Sequence, residues 1–118
     1  MDIKPISKGH TLVVPKVHCT DLFETSDEIL ADLLVKTKKI AKAAMEATKA
    51  DGINLGMNNK SSAGQVVFHT HLHIIPRFSG DGLKHWPNKD AEKEELSKIR
   101  EEIVKKIKFF RNLQVEDR

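Results

Sequence analysis

At 118 residues the chain is long enough for one domain with a modest buried core. Its single cysteine, Cys19, excludes an intrachain disulfide, and no apolar run reaches the length of a membrane span. A formal charge of +3 mildly favours anionic ligands, but interspersed Lys and Glu with few aromatics give no nucleic-acid signature. These features predict a soluble cytoplasmic protein with no membrane partner and no specific nucleic-acid partner.

Gly9 to Pro15 is a short β-branched run ended by proline and predicts a strand. Residues 26–50 predict a helix, with Thr25 and Glu28 as a capping box and Gly52 after the last turn. Ile29, Leu30, Leu33, Leu34, Ile40, Ala41 and Ala44 recur at helical spacing and mark its apolar face. Ile53 to Met57 alternates and predicts a second strand, followed by a turn-rich loop from Asn58 to Gly64. Val66 to Ile75 predicts a third strand, stopped by Pro76. A C-terminal helix is assigned to 90–112. Its charged amphipathic pattern runs over 90–110, with an apolar stripe of Leu96, Ile99, Ile103, Ile107 and Phe110. The sum is a single α+β domain over 1–118: an antiparallel sheet with one main helix and a C-terminal helix.

Three of the six histidines fall in the run His69-Thr70-His71-Leu72-His73. On a strand, successive side chains point to opposite faces, so the three rings would share one face at ~6.5 Å intervals. Packing explains such a row poorly, because every ring needs partners for two nitrogens. A neutral imidazole, with an unperturbed pKa of ~6.5, can attack phosphorus when its other nitrogen is held by a hydrogen bond. Flanking imidazoles can then donate to phosphate oxygens or to the leaving group. Three histidines can also hold zinc, and the triad by itself leaves that metalloenzyme reading open. His10 reads as structural, His85 as an idle loop residue, and Trp86 as a packing or anchor residue. Arg77 fits a surface ion pair as well as a phosphate contact.

The segment from Asn58 and Asn59 through Ala63-Gly64-Gln65 to His69-Thr70-His71-Leu72-His73-Ile74-Ile75 resembles the histidine-triad family of nucleotide hydrolases and transferases. Lys8 to His18 is similar to that family's strand before its main helix. Gly80-Asp81-Gly82 with Trp86 is similar to its bacterial and archaeal branch. The resemblance implies that His71 is the nucleophile that becomes nucleotidylated, that His69 positions it partly through its backbone carbonyl, and that His73 and Gln65 contact the phosphates. It also implies that Asn58 contacts phosphate or ribose and that Asp2 contacts ribose. The implied activity is hydrolysis at the α-phosphorus of adenosine (purine) phosphoramidates or dinucleoside polyphosphates. The implied ligand is AMP-like, and the implied assembly is a homodimer with a sheet continued across its two-fold axis. The alternative is a nucleotide-binding or sensing module with weak chemistry.

Three departures from the family pattern stand out. Thr70 replaces an apolar residue, and Val66 stands where many relatives carry a hydroxyl. Asp2-Ile3-Lys4-Pro5 looks like a segment that about twenty residues normally precede, supplying a hairpin and much of the nucleobase wall. No cofactor is implied for the nucleophilic step. In the zinc-binding branch His18 and His69 correspond to two of four ligands, so the resemblance implies structural zinc only in a longer form with a cysteine pair.

Overall fold

The computed structural model describes the backbone of residues 1–116 and the side chains of residues 1–110. The order of elements is β1 (Thr11–Val13), α1 (Asp27–Thr48), β2 (Gly52–Gly56), a 3-10 turn (Ser61–Ala63), β3 (Leu72–Arg77) and α2 (Lys93–Glu116). The strands form one antiparallel sheet in the order β1-β3-β2. This is the α+β class that the sequence predicts. By their contacts the residues fall into two compact units, Met1–Leu83 and Lys84–Arg118. No helix among the described residues is long and apolar enough to cross a membrane.

In the first unit, α1 lies against β3 and β2. Val13, Leu33 and Ile74 form the buried centre, with Ala41, Ala44, Ile53, Met57 and Leu72 packed around it. Burial alternates along β3: Ile74 and Pro76 are buried, while His73, Ile75 and Arg77 are not. Truncating Leu33 to alanine at the centre would cost ~2–5 kcal/mol, the usual range for a buried leucine. Leu34 and Val35 leave this core. With Ala41, Ile53, Leu55 and the Lys38 stem they line an open apolar groove of about 500 Å³.

Both ends of α1 differ from expectation. Ser26, not Thr25, caps the start: its Oγ accepts the Ile29 N–H at 3.3 Å. Thr25 is buried instead and donates to the Asp21 carbonyl at 2.6 Å. At the other end the left-handed residue is Lys49 (φ 60°), and Ala50 N–H closes the turn onto the Met45 carbonyl. Gly52 begins β2. A true glycine requirement lies at Gly9 (φ 85°), where an added Cβ would sit 2.6 Å from Thr48 Cγ2.

β3 also departs from its predicted bounds. It starts at Leu72 rather than Val66, and it runs through Pro76 to Arg77. β1 reaches only from Thr11, opposite Ile74, to Val13, opposite Leu72. The Pro76 carbonyl accepts the Ser7 hydroxyl at 2.6 Å, on the side where β1 has already ended. The proline's missing N–H points the same way, so no ladder bond is lost. In the second unit α2 begins three residues later than 90, and its stripe of Leu96, Ile99, Ile103, Ile107 and Phe110 is exposed.

Candidate active site

The histidine run is not one continuous strand. β2 ends at Gly56 opposite His73, and β1 ends at Val13 opposite Leu72. Among the described residues no neighbouring strand remains to pair with residues 66–71. That segment meets its backbone needs otherwise. Thr70 N–H donates to the Cys19 carbonyl at 2.6 Å, and the Thr70 and Thr25 hydroxyls meet at 2.8 Å. Because Thr25 already donates to Asp21, Thr70 is the donor of that buried pair. Of the expected row of three rings, two remain side by side and the third pairs elsewhere. His71 and His73 stand edge to face with centroids 4.9 Å apart. His69 turns to His18, at 5.2 Å.

Hydrogen-bond partners fix which nitrogens carry protons. A carbonyl only accepts, so His71 Nδ1, 2.6 Å from the His69 carbonyl, is the protonated nitrogen. The lone pair of His71 is then on Nε2. His10, read from sequence as structural, is buried to 1% exposure and bonds directly to His73. Its Nδ1 accepts the Ile6 N–H at 3.1 Å, so its Nε2–H donates to His73 Nδ1 at 2.9 Å. His73 is left with an N–H on Nε2. Burial lowers the His73 pKa first, and nearby His71 and His10 charge lowers it further, so the ring favours its neutral form.

His69 donates from Nε2 to the Pro15 carbonyl at 2.9 Å, and its Nδ1 faces His18 Nδ1 at 3.3 Å. Two imidazoles fall short of a closed four-coordinate zinc site, so this pair alone does not fit one. Among the described residues, the group of three donors close enough to share an ion is Asp2, His10 and His73. There the nitrogens of His10 and His73 Nδ1 are already engaged in hydrogen bonds.

Gln65 lies where its amide serves the backbone. It is buried, its Oε1 accepts the Lys60 N–H at 2.9 Å, and its Nε2 donates to the Thr20 and Val67 carbonyls. Asn58 is exposed beside the same loop, with Nδ2 3.5 Å from the Gly64 carbonyl. Asp2 is brought to the histidines: Oδ2 is 3.6 Å from His10 Nδ1, and Oδ1 accepts the Lys4 N–H. That hydrogen bond is the main cause lowering its pKa; burial opposes it, and the nearby histidines add to the lowering. Arg77 is committed elsewhere, to both Asp81 oxygens, Asn54 and the Leu83 carbonyl. His85 and Trp86 are exposed. Sequence reading missed the link from His10 to His73 and the pairing of Lys60 with Asp21. The strand placement of His10 was a usable signal for the first, and nothing in the spacing signalled the second.

The HIT domain pattern matches residues 1–80. The adenylylsulfatase HINT3 of Arabidopsis thaliana is 42% identical over 96 residues, which cover 81% of this chain and 48% of HINT3. This chain thus spans about half of that relative. The adenosine 5'-monophosphoramidase hnt1 of Schizosaccharomyces pombe is 43% identical over 110 residues, covering 92% of this chain and 80% of hnt1. The crystal structure of a HIT family member from Bacillus subtilis superposes with a TM-score of 0.79 at 38% identity, covering 89% of this chain and 77% of that one. Profile, sequence and fold agree over the segment that carries the histidines, and the chain belongs to the HIT, or histidine-triad, family.

Proposed function

We propose that the protein is a nucleotide hydrolase acting at the α-phosphorus of adenosine (purine) phosphoramidates or related nucleotides, with His71 as nucleophile. The observation that carries this reading is the 2.6 Å contact between His71 Nδ1 and the His69 carbonyl. It commits the proton to Nδ1 and leaves the lone pair on Nε2. In the first step Nε2 forms a bond to phosphorus, and the leaving group departs with the electron pair of the bond that breaks. The His73 Nε2–H donates a hydrogen bond to the leaving atom or to a phosphate oxygen. In the second step water attacks phosphorus and releases a proton to bulk solvent, while the electrons of the breaking N–P bond return to His71. The carbonyl of His69 steadies the charge on the modified ring throughout. Activities of HINT3 and hnt1 on adenosine compounds support this substrate class.

In this scheme Asn58 contacts phosphate or ribose, and Asp2 contacts ribose. Gln65 acts through the backbone, by holding the loop that leads to His71. Val66 is exposed and brings no hydroxyl to the phosphate. The protein works as a homodimer: β2 is an outer strand, and the apolar groove between α1 and β2 offers a surface for a second copy. Light scattering of the purified chain tests that assembly.

The chemistry is tested by mass spectrometry after brief exposure to adenosine phosphoramidate. A covalent adduct on His71 is expected, and His71→Asn should lose both adduct and turnover, the latter on the order of 10⁶-fold, as when a serine nucleophile is removed. Wild-type turnover in His71→Asn would overturn the reading. Tight AMP binding with no adduct would favour a sensing module instead.

A further inference from the structure

The loop that leads into the histidines is organised around Lys60, which has no part in the chemistry just described. Its backbone, at φ 75° and ψ 158°, lies in a region that is essentially reserved for glycine. Its carbonyl accepts the Ala63 and Gln65 N–H groups, and its own N–H donates to Gln65 Oε1. Its ammonium group reaches away from the loop to Asp21 Oδ2, 2.7 Å distant. Asp21 is 1% exposed, and its Oδ1 accepts the Phe23 and Glu24 N–H groups. Among the described residues the Lys60 ammonium is the one partner that serves Oδ2. The same two segments are joined by Leu22 N–H to Asn59 Oδ1 and by Gln65 Nε2 to the Thr20 carbonyl.

We propose that Lys60 is a positioning residue for His71. Its pairing with buried Asp21 holds a strained backbone in place and ties the loop, Gln65 and the unpaired segment 66–71 to residues 19–25. A glycine would accept the backbone conformation without strain, but it would leave Asp21 without its cation. The lysine therefore trades local ease for a cross-link between two segments that no strand joins. The turnover readout rests on the hydrolase reading above, while the fixing of the His71 ring can be followed independently.

The test compares Lys60→Met, Lys60→Gly and Lys60→Arg in the full chain, using adenosine phosphoramidate turnover, thermal melting and ¹⁵N shifts of the His71 ring. Lys60→Met should lower kcat by about 10–100-fold with little change in KM, the loss that a small misplacement of a reacting group produces. Lys60→Gly should melt above Lys60→Met, because the strain is gone, yet share its low kcat. Lys60→Arg, which keeps a cation opposite Asp21, should recover most of the rate. In the Met and Gly variants the ¹⁵N shifts of His71 should move from a fixed Nδ1–H form toward an average of the two tautomers. Wild-type kcat in Lys60→Gly, or unchanged His71 shifts in both variants, would overturn the proposal. If the wild type turned over no adenosine nucleotide, the hydrolase reading would fall, and the ring shifts would still decide the role of Lys60.

Discussion

His73 and His71 stand two residues apart and are held by different means. His73 sits on β3 between Leu12 of β1 and Gly56 of β2, and its ring rests on the buried His10. His71 lies before the strand begins, and its surroundings are fixed by the His69 carbonyl, the Thr70–Cys19 bond and the Thr25–Thr70 hydroxyl pair. The hydrogen-bond donor thus belongs to the sheet, while the proposed nucleophile depends on side chains gathered from residues 19–25 and 58–65. A ladder shares its load among many backbone bonds. A clamp of side chains gives way when one member is lost.

That contrast can be broken from either side. Among the residues around the histidines, the largest stability effect should come from His10→Ala, which empties a buried site and leaves the Ile6 N–H and His73 Nδ1 without partners. A loss of about 2–4 kcal/mol is expected from the lost packing and hydrogen bonds together, read as a fall in the chemical denaturation midpoint. His71 should keep its Nδ1–H in that variant, since its own carbonyl partner is untouched. Thr70→Val should act the other way. Removing the buried hydroxyl bond should cost about 1–2 kcal/mol, but the His71 ring should lose its fixed tautomer and turnover should fall more than stability does.

The smallest expected effect is pH dependence. His73 has its pKa lowered in the fold, chiefly by burial, from an ordinary value of 6.5. The unfolded chain therefore takes up this proton at higher pH than the folded one. The stability linked to the neutral ring is fully present above pH 6.5 and is lost as pH falls through the lower folded value. Melting temperature should decline on acidification below pH 6.5, and the decline should be shallower in His73→Asn. An equal slope in that variant would assign the pH dependence to other groups.

Much of this arrangement was legible in sequence where a periodic pattern coincided with a buried face. The Leu33 face of α1, the alternation of Leu72, His73 and Ile74, and the α+β order all follow from side-chain spacing. Legibility ended where geometry depends on partners distant in the chain. Whether residues 66–71 form a strand is decided by where β1 and β2 stop, and no local propensity records that. The Thr25–Glu28 capping pattern was outcompeted because Thr25 has a buried partner in Thr70. For the site, the histidine spacing indicated which residues matter but not how their rings pair. Gln65 shows the same limit: its loop was identified, while its inward-turned amide follows from contacts with Thr20 and Val67.

Two residues other than glycine adopt positive φ among those described, Lys49 and Lys60, one on either side of β2. Lys49 only closes α1, so glycine there could raise stability by up to about 1 kcal/mol, the gain from relieving a left-handed residue less the added freedom of the unfolded chain. Turnover should be unaffected. At Lys60 the same exchange would relax the backbone at the expense of the site. Selection for heat resistance would accept the first exchange but not the second, because glycine at 60 strands the buried Asp21 carboxylate without its cation. The two lysines that flank β2 thus separate a strained backbone that can be relaxed freely from one that a buried charge requires.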